Sequence, residues 1–559
     1  MFLRLILLTT AVAHAGWVER SNENTQLLLK VVAAFEPEGA ASMGIDGMDE
    51  RIMDRKPEHR ERFRKATEEA HAELIKRASV EKDVLVKQDL EILIESVRRQ
   101  MRAMDNAEKR SLRWTDVAQT VFFSTQGLLD DQVAAARRPA ALARLKKYTG
   151  LEPGYEPLTV IAEREIRERL KMEGIFFPSK LAIDNSLKNS ETYVKGVGAL
   201  LDKYKIPGFE EPYNLLKKQV AAYTEFVRKE VFPRGRDDFR LPEDMYALAL
   251  ENFGVDIPPA QLAGMAHKSF TEFQHEMQVI AAKMGYSDYR DAIRELKKKQ
   301  ITGDVILPFY RKRLGEIESI VRKHNLVTLP TREARIVIAS EAETAAQPAP
   351  HMRPPRLIGN KGEMGEFVLP LTAEKGLTYD DFTFDAAAWT LTAHELRPGH
   401  EMQFASMVEK GVSNARAIFA FNSTNVEGWG LYTEWVLKPY MPLEGQLISL
   451  QHRLMRAARA YLDPELHMGK IKPEEAQAVL ENDVMLSQAM ATQEVQRYTF
   501  RMPGQATSYY YGYTRLLELR AEVEKKQGAK FDAKKFHDFV LSQGLLPPAL
   551  MRKTVLAAF

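Results

Sequence analysis

The sequence predicts a mainly helical protein with one short region of β-structure. Long segments rich in Glu, Lys, Arg, Ala and Leu carry apolar residues three and four positions apart, which is the spacing of an amphipathic helix. Pro and Gly residues separate these segments from one another. Segments with strand character lie between residues 326 and 371, and helical spacing returns at residue 384. The predicted fold class is therefore all-α with a small β-sheet.

Residues 1–15 have the pattern of a secretory signal peptide. Arg4 supplies a positive charge, residues 5–12 form an apolar core, and residues 13–15 form a small-x-small cleavage site. The apolar run is too short to span a bilayer, and no later run reaches the roughly eighteen apolar residues that a spanning helix needs. We therefore expect an exported protein, periplasmic or extracellular, without a permanent membrane anchor. A buried N-terminal helix is the alternative interpretation.

The composition excludes several classes of protein. None of the 559 residues is a cysteine, so an exported form cannot depend on disulfides and must be stabilised by its core. A transition metal would have to be bound by His, Asp or Glu. The 79 basic and 77 acidic residues nearly balance, and no basic block contains interleaved aromatic residues. Nucleic acid is therefore not an expected partner.

Two helical regions are predicted, residues 16–325 and residues 326–559, and we expect them to form one integrated unit. The helical segments of the first region are 51–94, 136–147, 157–172, 190–204, 212–231, 259–284 and 289–299. The second region begins with two predicted strands, 335–340 and 365–371, separated by a proline-rich segment that must be extended or looped. Its predicted helices are 384–398, 427–437, 443–462, 473–496, 507–526 and 537–559.

A histidine motif lies at the end of the predicted helix 384–398. In the common zinc-peptidase motif H-E-x-x-H, two histidines one helical turn apart face the same metal, and the glutamate between them is the general base. Here His394 and Glu395 are present, but Pro398 stands in place of the second histidine and the next one is His400. On a straight helix His400 would point roughly 120° away from His394. A two-residue bulge at Pro398 and Gly399 would bring His400 back to the metal-facing position.

A downstream acidic helix offers a third metal ligand. Glu427 and Glu434 lie seven residues apart, so they fall near one helical face. With His394 and His400, either carboxylate would complete the two-histidine, one-carboxylate set of a catalytic zinc site that keeps one position open. Such a set favours zinc among the common metals. The alternative is that the two histidines are unrelated and have separate hydrogen-bonding partners.

These segments together resemble a known family. The matching pieces are His394-Glu-Leu-Arg-Pro-Gly-His400, Glu427-Gly-Trp-Gly-Leu-Tyr432, Glu494-Val-Gln-Arg-Tyr498 and Pro503-Gly-Gln-Ala-Thr-Ser-Tyr509 with Gly512 following. They resemble the domain of unknown function 885 family, whose mostly bacterial members are regarded as zinc metallopeptidases related to the helical gluzincins. The resemblance implies a two-lobed helical fold with a deep central cleft. One departure is Glu401, where the family often has a second histidine.

The resemblance also implies residue roles. It selects Glu427 as third ligand of one zinc ion, Glu395 as general base and Tyr509 as first choice for oxyanion stabilisation. Glu434 is expected to orient a ligand histidine, or else to be a surface charge. Plain packing is the alternative for Tyr509. We expect Tyr498 and Arg497 to bind substrate, with Arg497 contacting a carboxylate. Phe367 and Leu369 are expected on an edge strand that holds an extended peptide, or else in an ordinary buried strand. Glu401 would either orient a ligand histidine or be a surface charge, and the surface charge is favoured. His467 would either reach the cleft or simply cap or pack.

The expected function is that of an exported zinc-dependent metallopeptidase. Short peptides are the expected substrates, because the deep cleft implied by the resemblance excludes folded proteins. One alternative is a zinc-dependent hydrolase of another amide or of an ester. A second alternative is a non-catalytic helical protein that binds peptides. A protein that only binds peptides would not need Glu395 as a base. Side-chain preference, exo- or endo-cleavage and oligomeric state stay open at this point.

Overall fold

The computed structural model describes the backbone of residues 2–53, 55–56, 58–112, 114–371 and 379–559. Side chains are described for the same segments except residues 2–15 and 107–109, so the side chains of the predicted signal peptide lie outside the described residues. The described chain is mainly helical with one small sheet, as predicted. Among these residues no helix combines the length and apolar character needed to cross a membrane.

The helices that precede the sheet follow one another through short connections. They are α1 (Phe2–Phe35), α2 (Pro37–Met43), α3 (His59–Val80), α4 (Val84–Arg110), α5 (Val117–Gln126), α6 (Ala140–Thr149), α7 (Leu158–Arg169), α8 (Lys180–Lys203), α9 (Glu210–Phe226), α10 (Glu243–Asn252), α11 (Pro259–Lys283), α12 (Tyr289–Lys297) and α13 (Ile306–Lys323). The predicted helix 51–94 is wrong in extent, since two helices meet at Asp83, whose side chain caps the start of α4.

The remaining helices build the second region around the histidine motif. They are α14 (Glu341–Ala346), α15 (Asp385–Leu391), α16 (His400–Lys410), α17 (Ser423–Leu437), α18 (Leu443–His467), α19 (Pro473–Asn482), α20 (Gln488–Gln496), α21 (Thr507–Gln527), α22 (Ala533–Ser542) and α23 (Pro548–Ala558). The predicted helix 473–496 is in fact α19 and α20. Met485, with φ of 65°, lies in the left-handed region between them and interrupts the helical path.

The sheet has three short strands, β1 (Arg335–Ile338), β2 (His351–Arg353) and β3 (Glu366–Leu369), in the order β1-β3-β2. Strand β3 pairs in parallel with β1 and antiparallel with β2, so its backbone is paired on both sides. Phe367 and Leu369 belong to this central strand and are fully buried. The prediction that they form an edge strand for a substrate peptide is therefore wrong, and the alternative of an ordinary buried strand fits the structure.

Helices from both predicted regions share one hydrophobic core. Helix α11 packs along α18, and α17 packs along α21. Apolar residues of α11 such as Leu262 and of α18 such as Leu454 belong to one continuous buried cluster. A second connection is the buried ion pair between Asp89 of α4 and Arg416, which lies just before α17 (Nε to Oδ1, 2.7 Å). Helix α17 also packs on the turn 392–396 that carries His394, and α18 packs on α15; the two-lobed shape stays a prediction.

Candidate metal centre

The histidine motif lies at a break between two helices. Helix α15 continues into a π-helical turn, Thr392–Leu396, and Arg397 then adopts an extended conformation. The Arg397–Pro398 peptide bond is cis, and α16 begins at His400. Because Pro398 has no N–H and its ring would clash with the carbonyl group of residue 394, the first helix cannot continue through it. A complete break therefore replaces the predicted two-residue bulge, and the two histidines come from separate helices.

Gly399 makes this break possible. A β-carbon at this position would lie 1.9 Å from the carbonyl oxygen of His394 and 2.4 Å from that of Ala393. No side chain can replace the hydrogen of glycine at such distances. The neighbouring carbonyl group of Pro398 accepts a hydrogen bond from the buried Trp429 Nε1 at 2.9 Å, which ties the break to α17. The Pro-Gly pair thus ends one helix, and Trp429 fixes where the next begins.

Three side chains meet beside this break. One nitrogen each of His394 and His400 and one oxygen of Glu427 lie within 4.8 Å of one another. Glu427 Oε2 lies 3.5 Å from His394 Nε2 and 3.2 Å from His400 Nε2. Ligand atoms at the corners of a tetrahedron around zinc lie about 3.3 Å apart, given bonds of about 2.0–2.1 Å. The donor types and their spacing therefore fit a zinc ion.

The electrostatics of Glu427 favour a metal ligand. Burial raises the pKa of a carboxyl group, but hydrogen bonds from His394 and His400 outweigh that effect and hold the pKa of Glu427 well below its usual range. The group is therefore ionised in the folded protein. An ionised carboxylate and two imidazoles are the ligands that zinc commonly takes from a protein without cysteine.

Glu434 orients His394 from the side opposite Glu427. Its Oε1 lies 2.8 Å from His394 Nδ1, so Nε2 of the same ring faces the other two ligand atoms. Thr390 donates a hydrogen bond to Glu434 Oε2, and Arg456 lies 3.4 Å from Oε1. Burial raises the pKa of Glu434, but Arg456 and His394 outweigh burial and lower it to about 2. A carboxylate on the far nitrogen of a metal-binding histidine fixes the ring and increases its basicity.

Gly430 of α17 lies directly against the His394 ring. A β-carbon at this position would lie 2.7–2.9 Å from three ring atoms of His394. The ring of Tyr509 stacks on the His394 ring with centroids 6.1 Å apart and planes at 16°. His394 is thus held by Glu434, by Tyr509 and by the glycine surface of α17.

Glu395 follows the candidate ligand His394 in the chain and is close enough to His400 and Glu427 to feel their charges. It is 7% exposed, and its carboxyl group accepts no hydrogen bond within the described part of the chain. Burial and the nearby charge of Glu427 raise the pKa of Glu395 to about 8, while His400 and Arg456 act in the opposite direction. A carboxyl group with such a pKa, and without a competing donor, is well suited to accept and release a proton near neutral pH.

Tyr509 joins the candidate metal centre to a cluster of arginines. Its hydroxyl oxygen accepts a hydrogen bond from Arg497 Nη2 at 2.9 Å. The guanidinium carbons of Arg459, Arg497 and Arg456 lie 4.5, 5.3 and 5.7 Å from the centre of its ring. Burial raises the pKa of Tyr509, so the hydroxyl group stays protonated and can donate a hydrogen bond.

Comparisons with known proteins address the fold and the family. The model of a family described as "Bacterial protein of unknown function (DUF885)" matches residues 37–555. The chain belongs to the DUF885 family. A search of curated proteins found no match.

Two solved structures have the same fold as this DUF885 protein. One is described as "the putative lipoprotein from Colwellia psychrerythraea"; it has a TM-score of 0.77 at 18% identity, and the match covers 96% of this chain and 99% of that one. The other is described as "a putative lipoprotein of unknown function from Shewanella oneidensis"; it has a TM-score of 0.71 at 20% identity, with coverage of 97% and 99%. At these identities the likeness establishes the fold alone.

Three other residues singled out in the sequence have structural contacts in this DUF885 protein. Tyr498 is fully buried and donates a hydrogen bond to Glu494, and its contact with substrate stays a prediction. Glu401 is also fully buried and pairs with Arg397 at 2.7 Å, so it is not a surface charge. His467 accepts a hydrogen bond from the Leu241 N–H and bonds the Tyr498 carbonyl group, which fits the capping alternative.

A polar stripe on α18 was not recognised in the sequence. His452, Arg456, Arg459 and Asp463 recur every three or four residues, and all of them are buried. Arg459 pairs with both oxygens of Glu494 at 2.7 Å. The sequence does indicate such a stripe, because the segment 443–462 has apolar residues on its other faces. A helix with this pattern is buried, so its charged residues face the protein interior.

Proposed function

We propose that this DUF885 protein is an exported zinc-dependent metallopeptidase that hydrolyses short peptides. The observation that carries the proposal is the convergence of His394, His400 and Glu427 beside Glu395. Residues from three helices meet at distances suited to a metal, and next to His394 stands a buried carboxyl group that has no hydrogen-bonding partner within the described part of the chain. A purely structural cluster would not require that fourth group.

The metal would supply Lewis acidity, which polarises a carbonyl group and lowers the pKa of a water molecule toward about 7. Glu395 would accept the proton of the attacking water and pass it to the leaving amine. Tyr509 would donate a hydrogen bond to the oxygen that becomes negative as the peptide carbonyl is attacked. The structure supports this role because Arg497 occupies an acceptor position of the hydroxyl group, which leaves its hydrogen free to point elsewhere.

The burial of the site supports a small substrate. His394, His400 and Glu395 are 1%, 5% and 7% exposed, and the Glu427 side chain is 16% exposed. An extended peptide is narrow enough to enter such a site, whereas the surface of a folded protein is not. Export is supported by the signal-peptide pattern of residues 1–15 and by the two structural neighbours, which are described as lipoproteins.

The proposal is tested by comparing the wild type with Glu395→Gln and His400→Ala. Metal content is measured by mass spectrometry after zinc loading and dialysis, and turnover is measured with a library of short peptides. We expect about one zinc in the wild type and in Glu395→Gln, with turnover in the wild type alone, and loss of zinc in His400→Ala. His267→Ala is the control, because that side chain is half exposed and pairs with Glu465.

Other results would exclude the proposal in distinct ways. Zinc bound without turnover of any peptide would leave a hydrolase of another amide or ester, or a protein that only binds peptides. Full zinc content in His400→Ala would show that the ligand set is wrong. Absence of zinc from the wild type would exclude the metal chemistry altogether.

A further inference from the structure

The arginine cluster beside Tyr509 carries more positive charge than its partners balance. Arg456, Arg459 and Arg497 surround the tyrosine ring. The carboxylates that pair with them are Glu434, 3.4 Å from Arg456, and Glu494, which binds both Arg459 and Arg497. Among the described residues, these three cations therefore have two carboxylates at ion-pair distance.

Other acidic groups nearby do not remove this excess. Glu427 also acts on Tyr509 electrostatically, but its charge belongs to the metal it would bind. Asp463 acts on Arg497, but burial raises the pKa of Asp463 to about 8, so the group is largely uncharged at pH 7. Asp463 is also engaged elsewhere, because it accepts hydrogen bonds from Tyr246 and from the N–H of Gly504.

Arg497 is the member of the cluster that a ligand can reach. Its side chain is 18% exposed, whereas those of Arg456 and Arg459 are 5% and 4% exposed. Gln505 accepts hydrogen bonds from Nε and Nη2 of Arg497 and so holds the plane of the guanidinium group. Within the part of the chain that the structure describes, the remaining nitrogen, Nη1, has only a distant contact of 3.5 Å with Glu494. Nη1 of a guanidinium group whose plane is fixed is thus left to donate hydrogen bonds to an anion.

The position of Arg497 specifies which anion it would bind. Its Nη2 lies 2.9 Å from the Tyr509 hydroxyl group, which under the proposed function contacts the scissile carbonyl oxygen. One residue of extended chain spans about 3.3–3.6 Å. A carbonyl group at Tyr509 therefore places the next one along the chain beside Arg497.

We propose that Arg497 binds the free C-terminal carboxylate of a short peptide, so that the protein is a carboxypeptidase. This inference rests on the proposed function. The carboxylate satisfies the excess positive charge, and the residue that bears it is the one released by hydrolysis. An amidated peptide, or a longer chain that continues past Arg497, brings no negative charge to this position.

Binding tests the inference without requiring turnover. The probes are acetylated tripeptides, each made once with a free C-terminal carboxylate and once with a carboxamide. Their affinities for zinc-loaded Glu395→Gln protein are measured by calorimetry. A hydrogen-bonded ion pair contributes about 1.5–3 kcal/mol, so we expect the acids to bind about 10- to 150-fold more tightly than the amides. Adding Arg497→Gln should abolish this preference, and Arg497→Lys should keep part of it.

Two controls separate charge recognition from damage to the fold. The amide peptides are the first, because any disturbance of Tyr509 or of the fold by Arg497→Gln weakens acids and amides alike, whereas loss of charge recognition weakens the acids alone. Arg520→Gln is the second control. The Arg520 side chain is 19% exposed and donates a hydrogen bond to the Tyr432 hydroxyl group at 2.9 Å, much as Arg497 does to Tyr509. Arg520 lies eleven residues after Tyr509 on α21. Its substitution should leave the preference for acids intact.

Several results would overturn the inference. Equal binding of acids and amides, a preference for acids that persists in Arg497→Gln, or no binding of any acid would each do so. A wild-type enzyme that binds zinc and hydrolyses acids and amides equally would remain a peptidase but would not be a carboxypeptidase. Failure of the peptidase proposal itself would instead appear as missing zinc or missing turnover.

Discussion

Gly430→Ala tests whether the His394 ring must lie where the structure places it. The new methyl carbon would lie 2.7 Å from Cε1 of the ring, whereas ordinary contacts begin at about 3.4 Å, so one group must move by about 0.7 Å. The ring has little room to move, because Glu434 bonds its Nδ1 and Tyr509 stacks on its face. The backbone of α17 is equally constrained by its close packing on α21.

The expected magnitude follows from the cost of overpacking. Extra methyl groups in a packed interior typically cost about 1–3 kcal/mol. If zinc binding requires the original ring position, the same free energy is lost from binding, which weakens zinc affinity by about 5- to 150-fold. The metal-free variant can relax by shifting the ring, and alanine favours a helix over glycine by up to about 1 kcal/mol. We therefore expect a larger effect on zinc affinity than on the stability of the metal-free protein.

The assay is competition with a fluorescent chelator, together with thermal unfolding of the metal-free protein. Gly264→Ala is the matched control, because Gly264 lies inside α11 and a β-carbon there would meet nothing within 4 Å. That variant should keep wild-type zinc affinity and be slightly more stable. If Gly430→Ala binds zinc within twofold of the wild type, either His394 is not a ligand or its ring is not fixed, and the reasoning fails.

Two further predictions concern groups around the site. Glu434→Gln should weaken zinc binding by about 10- to 100-fold in the same chelator assay, because the charge that orients His394 is lost; unchanged affinity would contradict that role. Burial lowers the pKa of His537 to about 4, so its contribution to stability is complete above its unfolded pKa of about 6.5 and is lost as pH falls through 4. Urea unfolding of metal-free protein should therefore show that His537→Gln lowers the free energy of unfolding by about 2 kcal/mol less at pH 5 than at pH 7. An equal loss of unfolding free energy at both pH values would show that His537 is not held neutral.

Local sequence rules predict that the helix is interrupted at Pro398, but they do not predict the extent of the break. A proline four residues after His394 predicts interruption of the helix, because its ring clashes with a carbonyl group one turn earlier. The rule does not say how far the chain departs from the helix. The depth of the break depends on Gly399 lying against the His394 carbonyl group and on Trp429 binding the Pro398 carbonyl group from another helix.

The wrong predictions for Glu401 and for the strand that carries Phe367 and Leu369 share one cause. The sequence favours a surface charge at Glu401, because nothing local identifies Arg397 as its partner. Arg397 is itself held by Glu318 and by the carbonyl group of Arg332. The resemblance predicts a sheet edge for Phe367 and Leu369, but the position of a strand within a sheet depends on which segments pair with it. Strand β1 precedes β3 by about thirty residues, and β2 inserts between them in sequence but not in space.

The helical class, the absence of disulfides and the residue types available to a metal all follow from the amino-acid sequence alone. These properties follow from composition and from spacing over a few residues, where helix geometry alone relates one side chain to the next. The tertiary structure decided that Glu427 faces the histidines while Glu434 lies behind His394, and that Arg497 reaches Tyr509. Those relations depend on the packing of α17, α18 and α21 against the helix break, and contacts between segments distant in the chain leave no periodic trace in the sequence.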